Sequence, residues 1–147
     1  MASSEERPPF EILEHTADIG LAIRGATLEE LFENAAWGTA EILGAHAREP
    51  DRESRPVAGP ALNARAEDLE GLLVAWLDEV LFALEQSGRC LSHVEVLKVT
   101  QDEAEGNLLV VPCPGPKEGT ELKAATYHQL AVQPEQDGWA ATVYFDV

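Results

Sequence analysis

The stretch "DLEGLLVAWLDEVLFALEQSG", residues 68–88, carries the strongest fold signal in the chain. Its apolar residues recur at the three- and four-residue spacing of one buried helix face. They form an uninterrupted stripe of Leu69, Leu72, Leu73, Trp76, Leu77, Val80, Leu81 and Leu84. Asp68 suits the N-cap, and Gly88 suits the position just after the helix. We therefore predict a long helix here, at the centre of the core.

A second helix is predicted over "ATLEELFENAAWGTAEIL", residues 26–43. The same periodicity gives it one buried face. Thr27 followed by Glu30 is the pattern of a capping box at the start of a helix. Gly44 suits the end, because glycine adopts the left-handed conformation that commonly terminates helices.

The rest of the chain has the alternating or β-rich pattern of strands. Strands are expected within residues 10–14, 19–25, 57–66, 94–99, 107–113, 122–133 and 138–147. The last two are separated by "PEQDG", residues 134–138, which predicts a closing hairpin with Trp139 and Phe145 on one face and Tyr144 and Asp146 on the other. The economical architecture is an α+β fold, with two helices packed on a mostly antiparallel sheet.

Length and composition predict one domain over residues 10–147, preceded by a disordered tail at 1–9 that is rich in Ser, Glu and Pro. No apolar run approaches the roughly 20 residues of a membrane span, and the N-terminus lacks the apolar segment of a signal peptide. The two cysteines, Cys90 and Cys113, are too few for a disulfide framework. We expect them to be ordinary thiols in a reduced cytoplasmic setting.

The formal net charge is −17, from 10 basic and 27 acidic residues. This balance argues against strong direct binding to nucleic acid or to an anionic membrane, because both rely on Lys and Arg. It suits a metal cation, a basic protein partner or simple solubility.

The common motifs of catalysis are missing from the sequence: P-loop, GxGxxG, CxxC, HExxH and nucleophile elbow. Carboxylates remain. Asp18 closes "HTAD", residues 15–18, at a junction between strands, while Asp146 and the Val147 carboxylate lie at the other end of the chain. If these oxygens converge, they form a site for a hard cation such as Ca²⁺, Mg²⁺ or Mn²⁺. The alternative for Asp18 is a turn residue that caps backbone N–H groups.

Two further residues have a structural and a functional interpretation. His15 is either a ligand or proton carrier, or a residue that supports the junction through hydrogen bonds, and we favour the supporting role. Lys123 either pairs with a surface acid or reaches a phosphate or a partner's carboxylate.

Four blocks of the sequence resemble the archease family, in the family's order. They are "FEILEHTADIGLAIRGATLEELFENAA" (10–36), "LEGLLVAWLDEVLF" (69–82), "LKAATYHQLAV" (122–132) and "ATVYFDV" (141–147). The resemblance implies a cytoplasmic accessory protein that is not itself an enzyme. Archeases activate the GTP-dependent, metal-requiring RNA ligase of the RtcB type, which joins tRNA halves in tRNA splicing. They are thought to promote guanylylation of the ligase and thereby multiple turnover.

The resemblance also implies roles for particular residues. Asp18 and Asp146 match acidic functional positions, the Val147 carboxylate matches a metal-binding terminus, and Lys123 matches a functional lysine. The segment "PCPGPKEGTE", residues 112–121, departs from the family's Gly-Glu loop, and we assign no function to it or to residues 45–60. Two other functions stay open, a small metal-dependent hydrolase and an acidic chaperone-like protein.

Overall fold

The computed structural model describes residues 8–14, 18–46 and 55–147. Two helices and seven strands follow one another in these residues. The order is β1 (Phe10–Glu14), β2 (Asp18–Gly25), α1 (Leu28–Leu43), β3 (Val57–Arg65), α2 (Leu69–Ser87), β4 (Cys90–Val99), β5 (Glu103–Val111), β6 (Ala124–Glu135) and β7 (Gly138–Asp146).

Both helices begin and end where the sequence predicts. At the start of α1 the Glu30 N–H donates to the Thr27 hydroxyl oxygen over 3.1 Å, and at the start of α2 the Gly71 N–H donates to the Asp68 carboxylate over 2.7 Å. Gly44 and Gly88 follow the two helices at φ +69° and +64°. These caps satisfy backbone groups that a helix leaves unpaired at its ends.

The strands form two sheets where the sequence suggested one. One sheet has the order β1-β2-β7-β6 and the other β3-β5-β4, and every neighbouring pair is antiparallel. Each helix contacts both sheets, α1 through β2 and β4, and α2 through β6 and β3. The predicted α+β class is confirmed. The division into two sheets was not predicted, because strand periodicity reveals a buried face but not the strand's neighbours.

The core lies between the helices and the two sheets, and α2 is at its centre as predicted. Trp76 is fully buried, and its indole N–H donates to the Phe32 carbonyl over 3.0 Å. The two aromatic rings are also in contact, with centroids 5.9 Å apart. Within the described part of the chain, no helix combines the length and apolar character needed to cross a membrane.

The expectation of free thiols is wrong, since Cys90 and Cys113 form a disulfide with Cα atoms 5.0 Å apart. The hairpin of β4 and β5 explains the pairing. Cys90 lies opposite Val111 in its register, and Cys113 follows Val111 by two residues. A separation of 23 residues in sequence does not reveal this proximity, which depends on the strand register.

Candidate functional site

The register of β2 and β7 places Asp18 directly opposite Asp146. Opposite residues of antiparallel strands project from the same face of the sheet, with Cβ atoms about 4.5–5.5 Å apart. Residues 19, 21 and 23 of β2 and 143 and 145 of β7 point into the core, so the two aspartates lie on the outer face. The fold thus brings two carboxylates from near opposite ends of the chain to one position.

Lys123 reaches the same end of the sheet. Its backbone N–H donates to the Asp146 carbonyl over 2.9 Å, and the next residue, Ala124, pairs with Asp146 across β6 and β7. Val147 follows Asp146 directly and is 42% exposed. We call Asp18, Lys123, Asp146 and Val147 the carboxylate corner.

The chemistry of the carboxylate corner suits a hard cation. Asp18 is partly buried, whereas Asp146 and Lys123 are exposed. Two like charges directly opposite each other are destabilising, and a cation between them would remove that repulsion. All the donor atoms would be oxygens, which Ca²⁺, Mg²⁺ and Mn²⁺ prefer.

The corner does not hold a complete set of side-chain ligands. In residues 8–14, 18–46 and 55–147 no three His, Cys, Asp or Glu side chains lie close enough together to hold a metal ion. Two carboxylates alone would leave most positions in the shell of a hard cation to main-chain oxygens and water. Mg²⁺ in particular usually keeps several waters when it binds to proteins.

Other predicted features lie outside the corner or outside the structure. The supporting role predicted for His15 stays a prediction, because residues 15–17 lie outside the described residues. Residues 1–7 and 47–54 lie outside them as well. Glu118 and Glu121 are exposed on the loop between β5 and β6. That loop is fastened to the end of α1, where the Thr120 N–H donates to the Ile42 carbonyl over 2.7 Å.

Tyr144 lies next to the carboxylate corner. The sequence predicts that its side chain points away from the core. It is on the outer face, as predicted, yet only 7% of it is exposed. Its ring lies across Gly20, where an added Cβ would come within 2.6 Å of a ring carbon. The His128 ring stands edge-on to it, with centroids 6.0 Å apart. The two-residue spacing from Asp146 is the only sequence signal that places Tyr144 near the corner.

Asp78 of α2 is a second residue that the sequence did not single out. Its carboxylate accepts a hydrogen bond of 2.8 Å from the Ala125 N–H, two residues after Lys123. Asp78 is an exposed residue, but partial burial of its carboxyl raises the pKa above its usual value, and the hydrogen bond from Ala125 opposes that rise. Nothing in the local pattern of α2 distinguishes this aspartate from its acidic neighbours.

Comparison with known proteins shows which family has this sequence and fold. The model of the Archease protein family (MTH1598/TM1083) matches residues 10–147, which is nearly the whole chain. The chain belongs to the archease family. The match includes all seven strands and both helices, and it includes every residue of the carboxylate corner.

Curated relatives match this chain over almost the full length of both proteins. An archease of Methanosarcina acetivorans is 35% identical over 145 residues, which cover 94% of this chain and 95% of the relative. An archease of Thermococcus gammatolerans is 36% identical over 140 residues, which cover 90% and 94%.

Two solved archease structures share the fold. The solution structure of protein 1598 from Methanobacterium thermoautotrophicum is 28% identical, with a TM-score of 0.73 over 95% of this chain and 99% of that one. The crystal structure of an archease from Thermotoga maritima, described as a possible chaperone, is 26% identical, with a TM-score of 0.58 over 93% and 96%.

Proposed function

We propose that this archease is a metal-binding accessory protein that activates a GTP-dependent RNA ligase of the RtcB type in tRNA splicing. It promotes guanylylation and multiple turnover of the ligase and does not itself catalyse the reaction. The observation that carries the proposal is the register that sets Asp18 opposite Asp146.

The metal is the first part of the proposal. Asp18 and Asp146 supply carboxylate oxygens, and the main chain of Val147, which directly follows Asp146, supplies a further oxygen. A divalent cation bound by these residues would supply positive charge that offsets the charge of the GTP phosphates during guanylylation of the ligase.

Lys123 and the overall charge account for the partner. Lys123 is exposed beside the two carboxylates and offers a cation to a phosphate or to a carboxylate of the ligase. The net charge of −17 favours association with a basic, RNA-binding enzyme through complementary charge. The same charge disfavours strong direct binding of this protein to RNA. We place the protein in the cytoplasm, where it meets the ligase.

Ligase guanylylation and turnover, measured with Asp146→Ala and across Mg²⁺, Mn²⁺ and Ca²⁺, test the proposal. We expect Asp146→Ala to abolish stimulation while its circular dichroism spectrum stays that of the parent. Glu85→Ala is the matched control, because Glu85 is an exposed acid on α2. Normal stimulation by Asp146→Ala would refute the proposal.

The same experiment distinguishes the proposed function from two other functions. An acidic chaperone-like protein would lose activity equally with Asp146→Ala and Glu85→Ala, since only net charge would matter. A metal-dependent hydrolase would turn over phosphate esters without the ligase.

A further inference from the structure

The start of β6 has few partners in its own sheet. β6 is the edge strand, and its register with β7 covers only Ala124, Ala125 and Thr126 before it breaks. Pairing resumes at Ala131, beyond a residue, Gln129, with φ +51°. The loop from β5 ends immediately before Ala124. These three residues therefore form a short ladder between a loop and an irregularity.

A side chain of α2 supports this short ladder. An edge strand has a row of backbone groups with no strand beside it. Here the Ala125 N–H donates to the Asp78 carboxylate over 2.8 Å, in the region where α2 packs on β6. A bond from a backbone N–H to an ionised carboxylate is stronger than one between neutral groups. The Ala125 side chain is also buried in the core, so packing as well as the bond to Asp78 holds this residue in place.

The residues just before Ala125 are held by other contacts. The Lys123 N–H donates to the Asp146 carbonyl over 2.9 Å, and Leu122 is buried. Segment 123–125 is thus held between α2, through Asp78, and the end of β7, through Asp146. A shift of the segment would move the Lys123 backbone relative to Asp146.

We propose that Asp78 is a positioning residue for the carboxylate corner, because it fixes the start of β6 on α2 and thereby sets Lys123 beside Asp146. Asp78 acts through Ala125 and touches neither metal nor ligase. The consequence for activation rests on the proposed function, in which Lys123 contacts the ligase complex. The effect on the position of the Lys123 backbone is independent of the proposed function.

Amide hydrogen exchange in the isolated protein tests the backbone part. Loss of a hydrogen bond to a charged group corresponds to about tenfold or more in local opening, so Asp78→Ala should speed exchange at Ala125 and Lys123 by at least that factor. Asp78→Asn keeps a carbonyl acceptor but loses the charge, so its exchange rates should lie between those of the parent and of Asp78→Ala. The Phe32 amide in α1 reports global opening, and Glu85→Ala controls for lost charge.

Unchanged exchange at Ala125 and Lys123 in Asp78→Ala, relative to Phe32, would overturn the proposal. If Asp78→Ala does not fold, Asp78→Glu replaces it, because one extra methylene moves the carboxylate away from Ala125. The expected and contradicting results are the same for that variant.

A double-mutant cycle in the ligase assay tests the functional part. Asp78→Ala should reduce stimulation by about threefold or more, and should add nothing in a Lys123→Ala background because both changes act through one group. Asp78→Asn should restore stimulation. Losses that simply add would show a general structural role and overturn the inference. If the parent protein does not stimulate the ligase, the proposed function fails, while the exchange experiment still decides the role of Asp78.

Discussion

Replacing Asp18 by Asn should change the stability of the protein in opposite directions with and without a divalent cation. Asp18 and Asp146 are opposite in register, which places their Cβ atoms about 5 Å apart. Two unit charges at that distance repel by about 0.8 kcal/mol in water and about 3 kcal/mol at an effective dielectric constant of 20.

The lower figure applies to this pair, because Asp146 is exposed and Asp18 is only partly buried. Without metal, Asp18→Asn should therefore gain about 1 kcal/mol in the free energy of unfolding. For a chain of this length that corresponds to a rise in Tm of about 3 °C.

With metal the order should reverse. A cation that binds only the folded protein stabilises it by about 2.7 kcal/mol at a hundred times its dissociation constant. The parent protein gains this stabilisation, whereas Asp18→Asn has lost one of two carboxylate ligands and gains much less. The parent should then be the more stable protein by about 1–2 kcal/mol.

Thermal unfolding followed by circular dichroism, in EDTA and in excess Mg²⁺, Mn²⁺ or Ca²⁺, measures both signs. Glu85→Gln is the matched control, because it also replaces one exposed acid by its amide and changes the net charge by the same amount. Equal shifts for Asp18→Asn and Glu85→Gln in EDTA would refute the repulsion. A parent protein that none of the three cations stabilises would refute the metal site.

Three further predictions concern the fold. Reducing the Cys90–Cys113 disulfide, which closes a loop with a sequence separation of 23, should cost about 3 kcal/mol in urea unfolding, and an unchanged midpoint would contradict the bond. Trp76→Phe should cost about 1–3 kcal/mol in the same assay, because the Phe32 carbonyl loses a buried donor. Partial burial raises the pKa of the Asp78 carboxyl in the folded state, so the protonated form of Asp78 favours folding. This contribution to stability is present below pH 3.8, the ordinary pKa of the group, and is lost as the pH rises through the raised pKa. Asp78→Asn should therefore gain stability relative to the parent as the pH increases through that range, and parallel pH profiles would contradict this.

The helices show how much of this fold is local. The caps at Thr27 and Asp68 involve residues three positions apart, and the buried faces repeat every three or four residues. A helix depends on contacts within one or two turns of the chain, so its limits can be predicted from the sequence. The presence of each strand was predictable for a similar reason, but β4 and β5 begin four residues earlier than predicted. The neighbours of the strands in the two sheets were not predictable.

The carboxylate corner was only half predictable. Asp18, Asp146, Val147 and Lys123 stood out through composition, position and resemblance to archeases. Their proximity could not be derived, because strand pairing between distant segments depends on which faces pack together. The predicted role of His15 stays a prediction.

The amino-acid sequence by itself determined the two helices, the strand pattern, the acidic surface and the family. The tertiary structure alone decided the register that sets Asp18 opposite Asp146, the bond from Ala125 to Asp78 and the disulfide between Cys90 and Cys113. The physical reason is the range of the interactions. Capping and periodicity act within a few residues, whereas register and edge contacts follow from how both helices pack between two sheets.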